Sequence, residues 1–384
     1  MILEIILILL FVCLLYSFEI FKHYSITKII SAFLGIIIFY LLLFNVTYNH
    51  DWNQYTSIYN GYIKSKDLLF GLLSNLFSNL GYKYVYLYRF HIFCIGLGLI
   101  YFISRFSFSY VFSVLSIYLL FQVVPLSNQI RYFLAFSFFL ISVYSLICKQ
   151  NKLGFIFGLI LAVASHMGIL LMYPFLYFYY KIDTKKYLGK IILCSIIITI
   201  IVLVFYSFAL VLFPRFSFYL GKKEISSFVG GLFNNFIWLF WYVFIIIRHR
   251  KLVNTEAVMI GNNGKELKIE HDVKYNFLYK LSIYGGIFYP ISFFIQILCN
   301  RFITPSIIVW AIYLMYSLKY ENDFFEHIRL ITKFLLVVIF TFVYMYILPG
   351  FLGIENNKAL FEIFRSNKDI VSFFTFFTWL NNLL

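Results

Sequence analysis

The sequence predicts an all-α integral membrane protein, a polytopic bundle of about 11–13 transmembrane or half-membrane helices. Three observations predict it. The 384 residues are 62% hydrophobic and only 12% charged, against about 25% charged in an average globular domain. Apolar runs near the length of a bilayer crossing, about 20 residues as helix, recur from end to end. Runs such as 190–213 are apolar on every side and lack the period-two alternation of a membrane barrel. Lipid gives the backbone no hydrogen-bond partner, so such runs are helices.

The expected spans are 2–18, 29–47, 85–103, 108–123, 129–148, 190–213, 228–247, 275–298, 302–318 and 333–352, with a short apolar end at 370–384. The run Ile2–Phe18 has no basic n-region and no A-x-A-like cleavage site, so it reads as the first span rather than a cleaved signal. No soluble domain and no internal repeat stands out. Residues 1–384 read as one polytopic membrane domain, with 48–84 as the largest outer loop and 251–274 as the largest inner one. Within the inner loop, Asn263-Gly264 between apolar flanks predicts a small type I′ hairpin.

Orientation follows from charge. The net charge is +15, and the Lys and Arg sit between the spans. That pattern orients helices and meets anionic lipid, so membrane lipids and no nucleic acid are the expected partners. The run Arg248-His249-Arg250-Lys251 puts 251–274 in the cytoplasm by the positive-inside rule. Counting spans back and forward from it places 48–84, 124–128 and 214–227 outside. About 19 of the 31 Lys and Arg then lie inside.

The segment 153–180 has basic residues on both flanks that this count assigns to the cytoplasm. Its 28 residues are too few for two crossings of about 20 each. A short helical hairpin turning near Ser165-His166-Met167-Gly168 satisfies both conditions. One long tilted span is the alternative, and it inverts every loop on one side of it.

An ionisable residue at a span end is costly to place, which marks it for function. Asp51, Arg131, His166, Arg215 and Arg301 all fall on the outer side. Arg131 opens a span after Pro125, with Asn128 and Gln129 one turn away. Its guanidinium suits a phosphate, and snorkelling to headgroups is the plain alternative. Arg215 and Arg301 also face outside, and with Arg131 they could surround a pyrophosphate. His166 at the proposed turn suits proton transfer, or else it satisfies broken helix backbone. Asp51 reads either as a base or sugar ligand beside Tyr55 and Tyr59, or as the start of a capping box with Gln54. His91, in an aromatic span, reads as structural.

Several chemistries have no signal. The five cysteines have no C-x-x-C spacing, so neither a disulfide framework nor a metal site is expected. No P-loop, G-x-G-x-x-G, H-E-x-x-H or G-x-S-x-G is present. A nucleotide-driven cytoplasmic reaction is therefore not expected, nor is a cofactor.

The stretch 128–175 (NQIRYFLAFSFFLISVYSLICKQNKLGFIFGLILAVASHMGILLMYPF) resembles the central region of EpsG-type and Wzy-type polysaccharide polymerases. The features shared are an Arg ahead of a span with small residues, a short basic turn, and a second apolar run ending in a His and a small residue. Asp51 with Tyr55, Arg215 with Tyr219, and Asn300-Arg301 extend the similarity in pieces from about 51 to 310. Tyr132 stands where Gln is common, and Ser165 where Phe is. The resemblance implies a glycosyltransferase that joins undecaprenyl-pyrophosphate-linked oligosaccharide units at the outer face of a bacterial cytoplasmic (inner) membrane. Arg131, Arg215 and Arg301 would bind the pyrophosphate. His166 or Asp51 would handle the acceptor hydroxyl. Tyr55, Asn128, Gln129 and Tyr219 would contact sugar. A chain-length regulator and a flippase are the implied protein partners. The alternatives are an O-antigen ligase-like glycan transferase and a lipid-linked oligosaccharide flippase or other transporter. The lack of repeats and the clustering of charge at one face favour an enzyme over a transporter.

Overall fold

A computed structural model describes residues 25–205, 228–255, 258–260, 266–321, 323–348 and 366–367. The expected spans 2–18 and 370–384, the residues Arg215 and Tyr219, and the Asn263-Gly264 turn lie outside the described residues. Seven described helices are long and apolar enough to cross a membrane, and three shorter apolar helices accompany them. The chain is an all-α polytopic membrane protein. It divides into two compact units, Met1–Leu171 with Phe342–Leu384, and Met172–Thr341.

The first unit contains α1 (Ser25–Leu43), α2 (Trp52–Tyr59), α3 (Leu68–Asn79), α4 (Tyr84–Ser104), α5 (Tyr110–Asn128), α6 (Ile130–Lys149) and α7 (Lys152–Ser165). Helix α6 packs against both α4 and α7, and α1 packs against α5. Gly158 on α7 allows the α6 contact to close. A methyl there would sit 2.7 Å from the Cβ of Ser142, so small residues meet at the crossing as the Gly154-x-x-x-Gly158 spacing suggests. The α6–α7 turn is sharp because Gln150 takes the left-handed conformation (φ 51°). Asn151 then caps α7, its side chain accepting from the Gly154 N–H at 2.9 Å.

Within the expected hairpin 153–180, a helix ends where the turn was expected. Helix α7 stops at Ser165, a single 3₁₀ stretch covers Met167–Met172, and α8 (Phe175–Lys181) follows in the second unit. The 14 residues of α7 span about 21 Å, short of a full hydrocarbon core of about 30 Å.

The second unit continues with α9 (Thr184–Val204), α10 (Phe228–Asn254), α11 (Val273–Tyr284), α12 (Ile307–Ser317) and α13 (Phe324–Phe342), the last ending at the unit boundary. The expected single span 275–298 is corrected here. Helix α11 ends at Tyr284, and short 3₁₀ turns carry the chain onward. Gly285-Gly286 and Pro290 explain the break, since glycine is a poor helix former and proline lacks an N–H. Gly285 also admits a close approach, as a methyl there would lie 2.6 Å from the Phe302 carbonyl oxygen. Asp272 anchors α11 at its other end. Its carboxylate accepts from the Lys274 and Tyr275 N–H groups at 2.8 and 3.2 Å, and from the Tyr316 and Tyr320 hydroxyls at 2.9 and 2.6 Å.

One small ladder interrupts the helices. Strands β1 (Val258–Ile260) and β2 (Glu266–Lys268) pair antiparallel, with Ile260 opposite Glu266. A two-residue turn at Asn263-Gly264 would set Ile260 opposite Leu267 instead. The inner loop therefore contains the expected ladder, in a register one residue away from that of the expected turn.

Candidate active site

Two polar side chains from distant parts of the first unit converge on one carboxylate. Asp67 stands at the N-cap position of α3 with extended backbone, yet its side chain makes no cap hydrogen bond. An Asp at this position ordinarily caps its own helix. Here Oδ2 accepts from Arg131 Nη1 at 2.7 Å and lies 3.3 Å from His166 Nδ1. The Met167 N–H also bonds the carboxyl. Ser65 fixes the local loop, its hydroxyl donating to the Asp67 carbonyl at 2.8 Å and accepting the Asp67 N–H at 3.2 Å.

Each partner is placed by a helix end. Helix α5 runs into α6 with only Gln129 between them, and Arg131 falls in the first turn of α6. A cation there opposes the helix dipole, and the Asp67 carboxylate offsets it. The guanidinium also lies over the rings of Tyr55 and Phe70, at 4.9 and 5.4 Å from their centroids. His166 is the residue at which α7 ends, and its N–H closes the last turn onto the Ala162 carbonyl at 3.0 Å. The ring of Tyr132 meets the imidazole edge-on at 5.7 Å.

Burial sharpens the electrostatics. Asp67 is 7% exposed, Arg131 17% and His166 16%. Burial pushes the Asp67 carboxyl up. The hydrogen bond and charge of His166, the charge of Arg131 and the Met167 N–H together outweigh it and hold the carboxyl below its ordinary value. Burial likewise pushes the Tyr55 hydroxyl up, against the pull of Arg131. Opposite an ionised Asp67, a neutral His166 donates from Nδ1, and in that tautomer Nε2 is an acceptor.

That Nε2 is buried and has no hydrogen-bond partner among the described residues, as are Asn128 Oδ1 and Gln129 Oε1. Each such atom costs about 1–3 kcal/mol until something supplies its partner. Gly168 borders the ring. A Cβ at 168 would lie 3.1 Å from His166 Nε2 and 3.3 Å from Cδ2.

A sequence model of the EpsG family matches residues 28–360. The chain belongs to the EpsG family. Neither a curated protein nor a solved structure matches it. The matched range contains every residue of the Asp67 cluster, so the cluster belongs to the EpsG-family part of the chain. The family points to polysaccharide polymerase-type chemistry in a multi-pass membrane protein.

In this EpsG-family chain, Arg131 and His166 from the expected site come together through Asp67. Tyr55 lies beneath Arg131 and is only 3% exposed, stacked against Tyr84 at 6.4 Å. Asp51 stands at the N-cap of α2 with no side-chain cap hydrogen bond, so the capping-box alternative does not describe it. Arg301 lies in the second unit, in a wide π-turn over Cys299–Ile303, and is half-buried there. His91 is buried and its Nδ1 bonds the Leu87 carbonyl at 2.8 Å. Asp67 is the residue that sequence reasoning passed over. Its signal was weak but present, as the one carboxylate in Lys64-Ser65-Lys66-Asp67, directly ahead of an apolar helix. Among the described residues no group of three or more His, Cys, Asp or Glu side chains could hold a metal ion.

Proposed function

We propose that this EpsG-family protein is a polysaccharide polymerase, a membrane glycosyltransferase that joins undecaprenyl-pyrophosphate-linked oligosaccharide repeat units at the outer face of a bacterial cytoplasmic membrane. The observation that carries the reading is the Asp67 carboxylate held between Arg131 Nη1 and His166 Nδ1. It makes His166 a base oriented by a carboxylate, a recurring arrangement for activating a hydroxyl.

In the proposed reaction, the acceptor hydroxyl sits at the non-reducing end of the incoming lipid-linked unit. Its oxygen bonds to the anomeric carbon of the growing chain. The bond from that carbon to the pyrophosphate oxygen breaks, and the electron pair leaves with the lipid pyrophosphate. His166 Nε2 takes the hydroxyl proton. The cluster is neutral with Arg131 cationic, Asp67 anionic and His166 uncharged. It becomes +1 as His166 accepts the proton, just as negative charge grows on the leaving group. Asn128 Oδ1 and Gln129 Oε1 accept hydrogen bonds from sugar hydroxyls, which satisfies two buried acceptors. Arg131, in the same unit as His166, supplies the positive charge that faces the pyrophosphate.

The test is complementation. The gene is deleted and restored as wild type, Asp67→Asn, Arg131→Ala or His166→Ala, with membrane levels of each protein checked. Wild type restores a ladder of surface polysaccharide, and the variants leave single repeat units. A ladder that survives deletion would remove the polymerase reading.

A further inference from the structure

The first unit contains a polar cavity that none of Asp67, Arg131 and His166 lines. Helix α4 presents two faces at its start. Tyr84, Leu87 and Tyr88 are buried on one side, where Tyr84 meets Trp52 at 4.8 Å. On the other side Val85, Tyr86 and Arg89 line a cavity of about 750 Å³, completed by Tyr82, Lys83 and Asn45 among others.

Its lining is cationic and aromatic. Arg89 and Lys83 bring two positive charges, and no Asp or Glu lines it among the described residues. Arg89 is held in place beforehand. Nη2 donates to Asn45 Oδ1 at 2.6 Å, and the guanidinium packs against the rings of Phe44 and Tyr86 at 5.5 and 5.7 Å. Its Nε is buried with no partner among the described residues. A guanidinium fixed in this way suits a carboxylate. Tyr82 and Tyr86 are 51% and 46% exposed, with ring centroids 5.5 Å apart. Exposed tyrosine faces pack against the C–H faces of sugar rings. The size falls within the usual range for ligand cavities, about 300–1,000 Å³. Among the described residues, Val85 is the one aliphatic side chain in the lining.

The geometry points to a glycan-holding subsite, in which Arg89 and Lys83 grip an acidic sugar while Tyr82 and Tyr86 carry its neighbours. It rests on the glycan reading above and adds a substrate class to it, an oligosaccharide bearing carboxylate groups. Such a subsite holds the chain beside the reacting end without taking part in bond making.

The test uses the full-length protein in phosphatidylcholine nanodiscs, titrated calorimetrically with a galacturonic-acid hexasaccharide and with neutral maltohexaose. The acidic probe binds about tenfold more tightly than the neutral one. Arg89→Gln removes that preference. Lys83→Gln, at an exposed position where the fold is not at stake, weakens acidic binding about threefold. Asp67→Asn, which sharply lowers transfer in the polymerase reading, leaves this binding intact, so the two readings fail separately. Equal binding of both probes, or no effect from either groove variant, would overturn the subsite. So would displacement of the acidic probe when phosphatidylglycerol is added, which would mark a lipid headgroup site.

Discussion

Asp67 and His166 stand 99 positions apart in the chain, yet Oδ2 of one lies 3.3 Å from Nδ1 of the other. The N-cap of one helix meets the C-cap of another, and neither side chain serves its own helix. This pairing fixes the imidazole at a helix end, and the proposed base role of His166 is built on it.

Replacing Asp67 separates orientation from mere polarity. Asp67→Asn keeps the shape but presents an amide to His166 and removes the charge opposite Arg131. Transfer falls about a hundredfold to ten-thousandfold, the range expected for losing a general base's support. Asp51→Asn, which alters a carboxylate that does not cap α2, costs far less. In vitro polymerisation by purified variants at equal protein levels measures both.

Gly168→Ala tests access to the reacting nitrogen. The added methyl lies 3.1 Å from His166 Nε2, tight enough to crowd an approaching hydroxyl. The backbone at 168 does not require glycine for its φ, so the chain-entropy gain of about 0.4–1 kcal/mol is set against the shift the methyl imposes on the imidazole, and the net stability change is small. Activity falls at least about tenfold. Thermal melting and polymerisation on one preparation show the split.

Arg131→Lys keeps a positive charge and loses the planar fork that bonds Asp67 while lying over Tyr55 and Phe70. Transfer drops about tenfold, and Arg131→Gln drops further. Asp67→Ala also destabilises, by on the order of 1–3 kcal/mol, because it strands a mostly buried cation. Melting of the detergent-solubilised proteins measures that loss.

Acid should release the cluster. The folded Asp67 carboxyl titrates below its ordinary value of 3.8, so the unfolded chain binds its proton first as the pH falls. Its contribution to stability is full above about pH 5 and is lost progressively as the pH drops through 3.8 and below. The melting midpoint of wild type therefore falls in that acid range, and the Asp67→Asn variant lacks this component of the fall.

Much of the fold was legible because lipid leaves few alternatives. An apolar run of bilayer length must be helix, so Tyr84–Ser104, Tyr110–Asn128 and Ile130–Lys149 stand close to where the runs placed them. The break at His166 was legible because basic flanks on both sides of 28 residues leave no room for two full crossings. The break after Tyr284 was missed, since hydropathy counts Gly285, Gly286 and Pro290 as little more than interruptions. The ladder's register differs by one residue from the one an Asn263-Gly264 turn would set, because dipeptide preference does not fix register.

The candidate site was legible in part. Arg131 and His166 stood out as ionisable residues at span ends. Asp67 did not, because a carboxylate among lysines reads as a solvated loop. Its partners lie 64 and 99 positions away, and only tertiary packing brings them together.

The central claim is that Asp67 acts through His166. The most direct test is a double-mutant cycle on the purified enzyme with a lipid-linked repeat unit, comparing Asp67→Asn, His166→Gln and the pair together. If Asp67 orients His166, the double variant is no slower than His166→Gln alone, because the carboxylate has nothing left to orient. If the two losses multiply, the residues act independently and the oriented-base account is contradicted.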